Sequence, residues 1–393
     1  NGGWTPDSCR ALSVSSTTRP PLHHTDPLRT MKLDLSSFRY FQDEHFRVLI
    51  AVEMGMKNHA HVPTTLITAL AAPTLSSSAS ASPQKCLRAI HAAKLVHHDS
   101  VPYDGYRLTT LGYDFLALRT LTKRGVVASV GRQIGVGKES DIFLAEAPLP
   151  AEDGEENETE LSEKPSTPHV LAIKLHRLGR TSFRAVKSKR DYMGNRKSAS
   201  WIYLSRLAAT REFAFLEALH AKGMATPAPV AQNRHVVVMG WIPGSSLARL
   251  HWMERADATR VARSVFGFAM ELARYGLVHG DLNEFNVIVE DSRVLAEDDD
   301  GEDDADASSA VHAVSNPYHA SSAAAVSTTD TTAAEPEAAD YLRAVVIDFP
   351  QMISTRHPQA REQFRRDVEG VVKFFSHRFG VPAHDVIGEA RPG

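Results

Sequence analysis

The chain has 393 residues, of which 42% are hydrophobic, and a formal net charge of −3. That length holds two or three domains of roughly 100–200 residues, and no run approaches the ~20 apolar residues of a membrane span. Cys9 and Cys86 are the only cysteines, which excludes a disulfide framework and a cysteine zinc site and fits a reducing compartment.

The first thirty residues are rich in Ser, Thr and Pro and lack the apolar core of a signal peptide. They are read as a disordered tail with Met31 as the natural start, a transit peptide being the alternative. Phe41–Met56 (FQDEHFRVLIAVEMGM) has helical apolar spacing with acids in its first turn. Val62–Ala71 reads as a second helix with Pro63 near its start, and Gln84–Leu95, beyond a Ser/Ala spacer, as a third. LVHH and YRLT then predict two short strands around the hairpin loop DSVPYDG, and Thr110–Leu121 closes the unit as a helix. Three helices and a two-stranded wing make residues 31–125 a winged-helix pattern; a small helical packing domain is the other reading.

Val126–Ala147 reads as strand, glycine turn and strand. Glu152–Glu163 follows with seven acids and no base, a solvated loop kept extended by its own repulsion. Val170–Leu178 (VLAIKLHRL) resumes as a strand. Arg177–Arg211 then carries ten Lys or Arg against one acid, Asp191, and a long helix is predicted from about Ser200 to Lys222. His235–Ile242 (HVVVMGWI) is a buried strand by its β-branched run. A helix through ATRVARSVFGFAMELARYG leads to LVHGDLNEFNVIVE. Glu297–Asp306 holds eight acids in ten positions and opens an Ala/Ser/Thr-rich insertion with almost nothing apolar to bury. LRAVVIDFP (Leu342–Pro350) is a strand ending in an acid, and a last helix runs from about Pro358 to Phe379.

Four of these segments carry chemistry. GVGKES between two strands lets backbone N–H groups approach phosphate oxygens, because Gly135 and Gly137 have no side chain to obstruct them. A Walker A loop is rejected, since the glycine spacing fails and a strand follows the turn. The kinase loop G-x-G-x-x-G-x-V fits better, with Ser140 for the third glycine and Ile142 at the last position; taken alone, an ordinary glycine hairpin fits too. LAIK puts Lys174 at the end of a strand, where a kinase lysine holds the α and β phosphates and pairs with a helix glutamate. Glu212 is the candidate partner: Ala208, Phe215 and Leu219 place it on the helix's apolar face, where a carboxylate needs a cation. Without the other motifs, both are equally readable as surface charges. Asp281 and Asn286 have the spacing of H-R-D-x-x-x-x-N, an aspartate that orients or deprotonates a hydroxyl and an asparagine that binds metal. VIDFP supplies Asp348 where D-F-G supplies the main Mg²⁺ ligand. One Asp and one Asn beside a triphosphate suit Mg²⁺, which prefers oxygen donors. Four such motifs in this order point to a nucleotide-phosphate site.

GVGKESDI, LAIKLHRLGRTSF, LVHGDLNEFN and VIDFPQM resemble the RIO family of atypical protein kinases. DEHFRVLIAVEMGMKNH and the winged-helix pattern are similar to its second subfamily. The resemblance implies an α+β chain: an N-terminal winged-helix domain (31–125) and a truncated bilobal kinase-like domain (126–380). The latter divides into an N-lobe at about 126–238 and a C-lobe at about 243–380, with acidic disordered inserts near 148–168 and 296–340 and a tail over 381–393. It further implies that Lys138 and Ser140 contact phosphates, that Lys174 pairs with Glu212, that Asp281 is catalytic, and that Asn286 and Asp348 hold Mg²⁺. Met239 would be the gatekeeper, with the backbone of Gly240 and Ile242 reading the adenine of ATP. Gly280 replaces the arginine that receives an activation-loop phosphate, and the 45 residues after Asp348 are expected to be too few to grip a peptide. ATP hydrolysis through a phospho-aspartate at Asp348 is therefore expected, with phosphorylation of serine, including autophosphorylation, as a lesser activity.

The resemblance also implies, as partners, the maturing small ribosomal subunit, its rRNA and assembly factors. It implies a cytoplasmic protein that shuttles through the nucleus, monomeric off the ribosome and without a membrane role. The basic segment fits a nucleic-acid partner, or equally a solvated loop. A small-molecule phosphotransferase of the aminoglycoside-kinase type shares an H-G-D-x-x-x-x-N stretch, and an ATP-bound scaffold would keep every nucleotide ligand. Asp367, in FRRDVEG, is read either as a buried acid bracing the loop around Asp281 or as a surface ion pair.

Overall fold

The computed structural model describes residues 33, 35–74, 82–101, 103–149, 168–178, 200–291 and 341–387. The expected tail and start at Met31, both acidic clusters and the basic stretch 179–199 lie outside the described residues.

The first unit runs α1 (Asp43–Gly55), α2 (Thr64–Ala71), α3 (Pro83–Ala92), the antiparallel hairpin β1 (Val96–Asp99) and β2 (Gly105–Leu108), and α4 (Thr110–Lys123). A capping box between Gln42 and His45 starts α1, and Asp43 and Glu44 in its first turn complement the helix dipole. Val62, between α1 and α2, exchanges both backbone hydrogen bonds with Tyr106, at 2.7 and 2.9 Å. The hairpin thus gains a one-residue third strand. The sequence pattern extends α3 to Leu95, but the helix ends at Ala92 because Lys94 takes a left-handed φ of 59° that turns the chain into β1. Val48, Leu49, Val52, Ile67, Ile90 and Leu95 form the buried core.

The second unit begins with an antiparallel sheet in the order β3-β4-β5-β7-β6, built from β3 (Ser129–Val136), β4 (Ser140–Glu146), β5 (Val170–His176), β6 (Pro229–Asn233) and β7 (Val236–Gly240). Both faces are covered, which is why β5 and β7 read as continuous apolar runs rather than alternating ones. Leu171, Ile173, Leu175, Val236 and Val238 pack against Ala117, Leu118 and Leu121 of α4. The alternate residues, including Ala172, Val237 and Met239, face the cluster around α5 (Trp201–His220). Period-two alternation therefore decides that Lys174 points to the α5 side.

Beyond the sheet come β8 (Gly244–Ser246), α6 (Arg255–Arg274) and β9 (Leu277–Val278). The chain then forms β10 (Val287–Asp291), β11 (Leu342–Val346), β12 (Ile353–Ser354) and α7 (Ala360–Phe379). β11-β10-β8 form one small sheet and β12-β9 another. The sequence pattern does not show β6, β8, β9 or β12; all are short, β6 begins on a proline, and β8 is only Gly and Ser. The tail expected from residue 381 is corrected. Gly380 ends α7 at φ 68°, and the chain turns back into α8 (Ala383–Ile387), burying Val381 and Val386 completely or nearly so. Two spaced valines were too little apolar pattern to announce a helix.

Two glycines test the packing. A Cβ at Gly112 in α4 would run into the Leu95 carbonyl oxygen, whereas nothing lies within 4 Å of one at Gly267 in α6. Gly112→Ala should cost about 1–3 kcal/mol by overpacking, and Gly267→Ala should add about 0.5–1 kcal/mol. Chemical denaturation checks both, and equal effects would refute the packing.

Candidate active site

Lys174 is the buried centre of the site. Its Nζ donates to Glu212 Oε1 at 2.6 Å and to Asp348 Oδ1 at 2.7 Å. Glu212 is 1% exposed on α5, between Ala208 and Leu219, which are also buried. Burial opposes the lysine's charge, but Asp348 and Glu212 outweigh it and hold the ammonium above its ordinary value. Burial likewise opposes ionisation of both acids, and Lys174 wins again, holding each below the usual carboxylate range. All three are charged at neutral pH. His176 Nε2 stands 2.7 Å from the other Glu212 oxygen.

Asp348 follows β11 in a left-handed conformation, φ 72°, which aspartate tolerates better than most residues. Its side chain is 32% exposed, open enough for a ligand to reach. Val287 pairs with Val346, and the Ile347 N–H donates to the Asn286 carbonyl at 3.0 Å. This ladder brings Asn286 and Asp348, far apart in sequence, to the same end of the small sheet. Asn286 commits its Nδ2 to the Asp281 carbonyl at 2.8 Å, which leaves the amide oxygen for a cation.

Asp281 sits on a fixed loop. Its Oδ1 accepts from Asn283 Nδ2 at 3.2 Å and its Oδ2 from Gln351 Nε2 at 2.8 Å. Asp367, 3% exposed on α7, straddles it from behind: its oxygens accept from the Gly280 N–H at 2.7 Å and the Leu282 N–H at 3.2 Å. Of the two readings of Asp367, the bracing acid is the one the structure supports. Gly280 has φ 78°, a left-handed conformation that strains any side chain, and a Cβ there would lie 2.6 Å from Gln363 Oε1, so a larger residue at the position where other kinases carry arginine would have to displace the Gln363 side chain.

The glycine turn lies above. Ile142 pairs with Lys174 and Lys174 with Val237, so Ile142 shares the lysine's face of the sheet. Gly135 pairs with Ile142, and the Gly137 N–H donates to the Ser140 carbonyl at 2.7 Å. Lys138 is exposed at the tip. At the far edge Met239 is buried, the Gly240 N–H is used by the Ala228 carbonyl at 2.8 Å, and the Trp241 N–H by Val170 at 3.1 Å. Among the described residues no backbone partner takes the Ile242 N–H, which suits it to reading a base.

His176, Asn283 and Gln351 were missed by sequence reasoning. Asn283 had a signal, since its Oδ1 caps the Phe285 N–H at 3.0 Å in the Asx-turn that such a loop invites. Gln351 had none. Among the described residues no group of three or more His, Cys, Asp or Glu could cage a metal alone. An Asn–Asp pair fits Mg²⁺ all the same, because that ion is commonly held by one or two carboxylates together with substrate phosphates.

Known proteins match this arrangement. Residues 38–124 match the Rio2 N-terminal family, and residues 155–298 and 339–386 match the RIO domain. The rio2 serine/threonine-protein kinase of Schizosaccharomyces pombe is 37% identical over 350 residues, covering 89% of this chain and 80% of that protein. The chain belongs to the Rio2 family. The Dictyostelium discoideum Rio2 kinase is 38% identical across 92% of this chain, and the match takes in 54% of its length. With the Caenorhabditis elegans Rio2 the figure is 53%, so the chain spans about half of these two relatives. The solved Rio2 kinase–ADP/Mg²⁺-phosphoaspartate complex of Chaetomium thermophilum is 36% identical, with a TM-score of 0.64 over 92% of this chain and 86% of that one. A Rio2 N-terminal domain thus precedes a RIO domain, as the resemblance implied.

The Rio2 brace at Asp367 makes a pH prediction. Burial pushes this carboxyl from 3.8 up to about 6, despite the pull of two backbone N–H groups. Between those values the folded chain holds a proton that the unfolded chain has released, so the group's contribution to stability falls as pH rises. The stability of the wild type minus that of Asp367→Asn should decline from pH 4 to pH 6 and level off above, as read by urea titration. A pH-independent difference would refute the raised value.

Proposed function

We propose that this chain is a Mg²⁺-dependent ATPase and serine/threonine kinase that passes through a phospho-aspartate at Asp348 and serves late maturation of the small ribosomal subunit. The observation that carries the catalytic part is the buried Lys174 ammonium joined to Glu212 and Asp348. It is a kinase phosphate anchor already charged and braced. The phosphoaspartate complex of the Chaetomium thermophilum relative supports the covalent route, and Asp348 offers an ionised, partly open carboxylate to perform it.

The chain's own residues divide the work. Ile142, Ala172 and Met239 line the apolar face where the base packs, and Lys174 neutralises the α and β phosphates. Asn286 and Asp348 would hold Mg²⁺, which would neutralise phosphate charge when bound. A carboxylate oxygen of Asp348 attacks the γ-phosphorus, the bond to the bridging oxygen breaks, and ADP leaves with that electron pair. Asp281, held by Asn283 and Gln351, then takes a proton from water as its oxygen attacks the acyl phosphate. Phosphate departs and the Asp348 carboxylate is restored. A serine hydroxyl in place of that water gives the protein-kinase reaction.

The ribosomal part rests on family resemblance and on chemistry. The helix–helix–helix–hairpin unit has winged-helix order, and the sequence over 180–197 carries seven Lys or Arg, cations with sequence-independent affinity for phosphate backbones. A cytoplasmic location, with passage through the nucleus, belongs to the same reading. Matches to both RIO profiles favour it over an aminoglycoside-type phosphotransferase.

Labelling with γ-³²P-ATP and Mg²⁺ tests the chemistry. The wild type should acquire a hydroxylamine-sensitive label and release phosphate, more so with precursor particles. Asp348→Asn should lose both. Asp281→Ala should keep the label while phosphate release falls about 10²–10⁴-fold. Unchanged ATP binding and unchanged ribosome maturation in Asp281→Ala, with phosphate release lost, would favour an ATP-bound scaffold that needs no turnover.

A further inference from the structure

Arg177 immediately follows β5 and is 4% exposed. Its backbone N–H donates to the Glu139 carbonyl at 2.5 Å, and its Nε donates to Asp141 Oδ2 at 3.1 Å. Glu139 and Asp141 flank Ser140. One residue therefore grips the glycine turn on both sides of that serine, by main chain on one side and by guanidinium on the other.

The outer edge of the same guanidinium belongs to another domain. Nη1 and Nη2 donate to the two oxygens of Asp114 at 2.7 and 2.8 Å, a bidentate pair. Asp114 lies on α4, and its Oδ1 is also 2.8 Å from His235 Nε2, just before β7. Asp114, Asp141 and Arg177 are all at most 4% exposed, and His235 is fully buried.

Holding α4 to the sheet does not require these charges. Ala117, Leu118 and Leu121 already pack on Phe143, Leu171, Ile173 and Leu175. A buried ion pair is commonly no more stabilising than the apolar pair that could replace it. What an Arg–carboxylate fork adds is direction, because its planar donors meet two oxygens in one geometry. Here that direction is spent on the two residues around Ser140.

We propose that the Asp114–Arg177 pair positions the glycine turn for the phosphates of a nucleoside triphosphate, so that the N-terminal domain contributes a positioning residue to the nucleotide site. The proposal rests on the reading that this turn binds nucleotide. In Asp114→Asn the fork loses one acceptor and meets an amide donor instead, and the turn loses its backing. In Asp141→Asn the interdomain pair survives but the turn's side-chain tether weakens.

The test uses the full chain, with ADP–Mg²⁺ affinity read by calorimetry and steady-state phosphate release read separately. Asp114→Asn and Asp141→Asn should each raise the ADP Kd and the ATP KM about tenfold, within the usual range of coupling between sites. The kcat should stay close to wild type, since Asp281 and Asp348 are untouched. Arg177→Lys, which keeps the charge and loses the fork, should behave like Asp114→Asn. A merely structural role would lower the melting temperature and leave the Kd of the folded variants unchanged, and that result overturns the proposal.

Should the variants fail to fold, the wild type decides. By reciprocity, ADP–Mg²⁺ should slow amide exchange in α4 as well as in the turn. Slowing at residues 135–142 with none at residues 110–123 overturns the proposal. A wild type that binds no nucleotide removes the functional reading itself, and this inference with it.

Discussion

One ammonium group holds the site together. Lys174 brings β5, α5 and the end of β11 to a single point, and its charge is the main support of both carboxylates there. An unpaired buried carboxylate would cost far more than a hydrogen bond returns. The requirement propagates outwards. β5 must present Lys174 on the α5 face, α5 must turn Glu212 inward between Ala208 and Leu219, and the chain after β11 must accept a left-handed residue at Asp348. Two acids on one base also leave the cluster with surplus negative charge when nothing is bound. That surplus is the electrostatic complement of a divalent cation, and Asn286 adds a neutral oxygen rather than a third acid.

The loop bearing Asp281 solves a different problem. Asp281 is held in direction by the side-chain amides of Asn283 and Gln351, and its loop is held from behind through the backbone N–H groups gripped by Asp367. In kinases with an arginine before the aspartate, that side chain ties the loop to a phosphorylated segment. Gly280 carries no such side chain, and the Arg366 side chain bonds the Gly280 carbonyl instead. Only residues 349–359 lie between Asp348 and α7, and two of these, Ile353 and Ser354, are tied into β12. The loop is therefore braced from within the fold, by α7, in an arrangement that needs no phosphate to complete it.

Much of this was legible before any coordinates, and the reason is physical. Lys174, Glu212, Asp281, Asn286 and Asp348 lie on elements with strong local patterns: an apolar strand, an amphipathic helix, a turn, a strand end. A charged residue in an apolar run announces its own need for a partner. Asp367 was half legible for the same reason, being an acid among apolar neighbours, but its two backbone partners lie more than eighty residues away. Gln351 is a polar residue in a polar loop and only a folded neighbour gives it meaning. β6, β8, β9 and β12 were illegible because two to five residues of sheet are set by their partners and not by their own propensity. α8 was hidden likewise, since Val381 and Val386 matter only once α6 and α7 provide a surface to cover.

The doubly covered sheet has a consequence for motion. A sheet with one free face can rock against its neighbours, but this one has α5 on one side and α4 on the other, in continuous apolar contact. Close-packed interfaces of this kind shift between discrete arrangements and do not deform gradually. The N-terminal domain and the five-stranded sheet therefore behave as one body. Beyond β7, Trp241, Ile242 and Pro243 join the sheet to β8 without belonging to either. The α6–α7 half is packed in turn against the sheet's other face, since Ala172, Val237 and Met239 share one apolar cluster with Val265, Phe268 and Phe375.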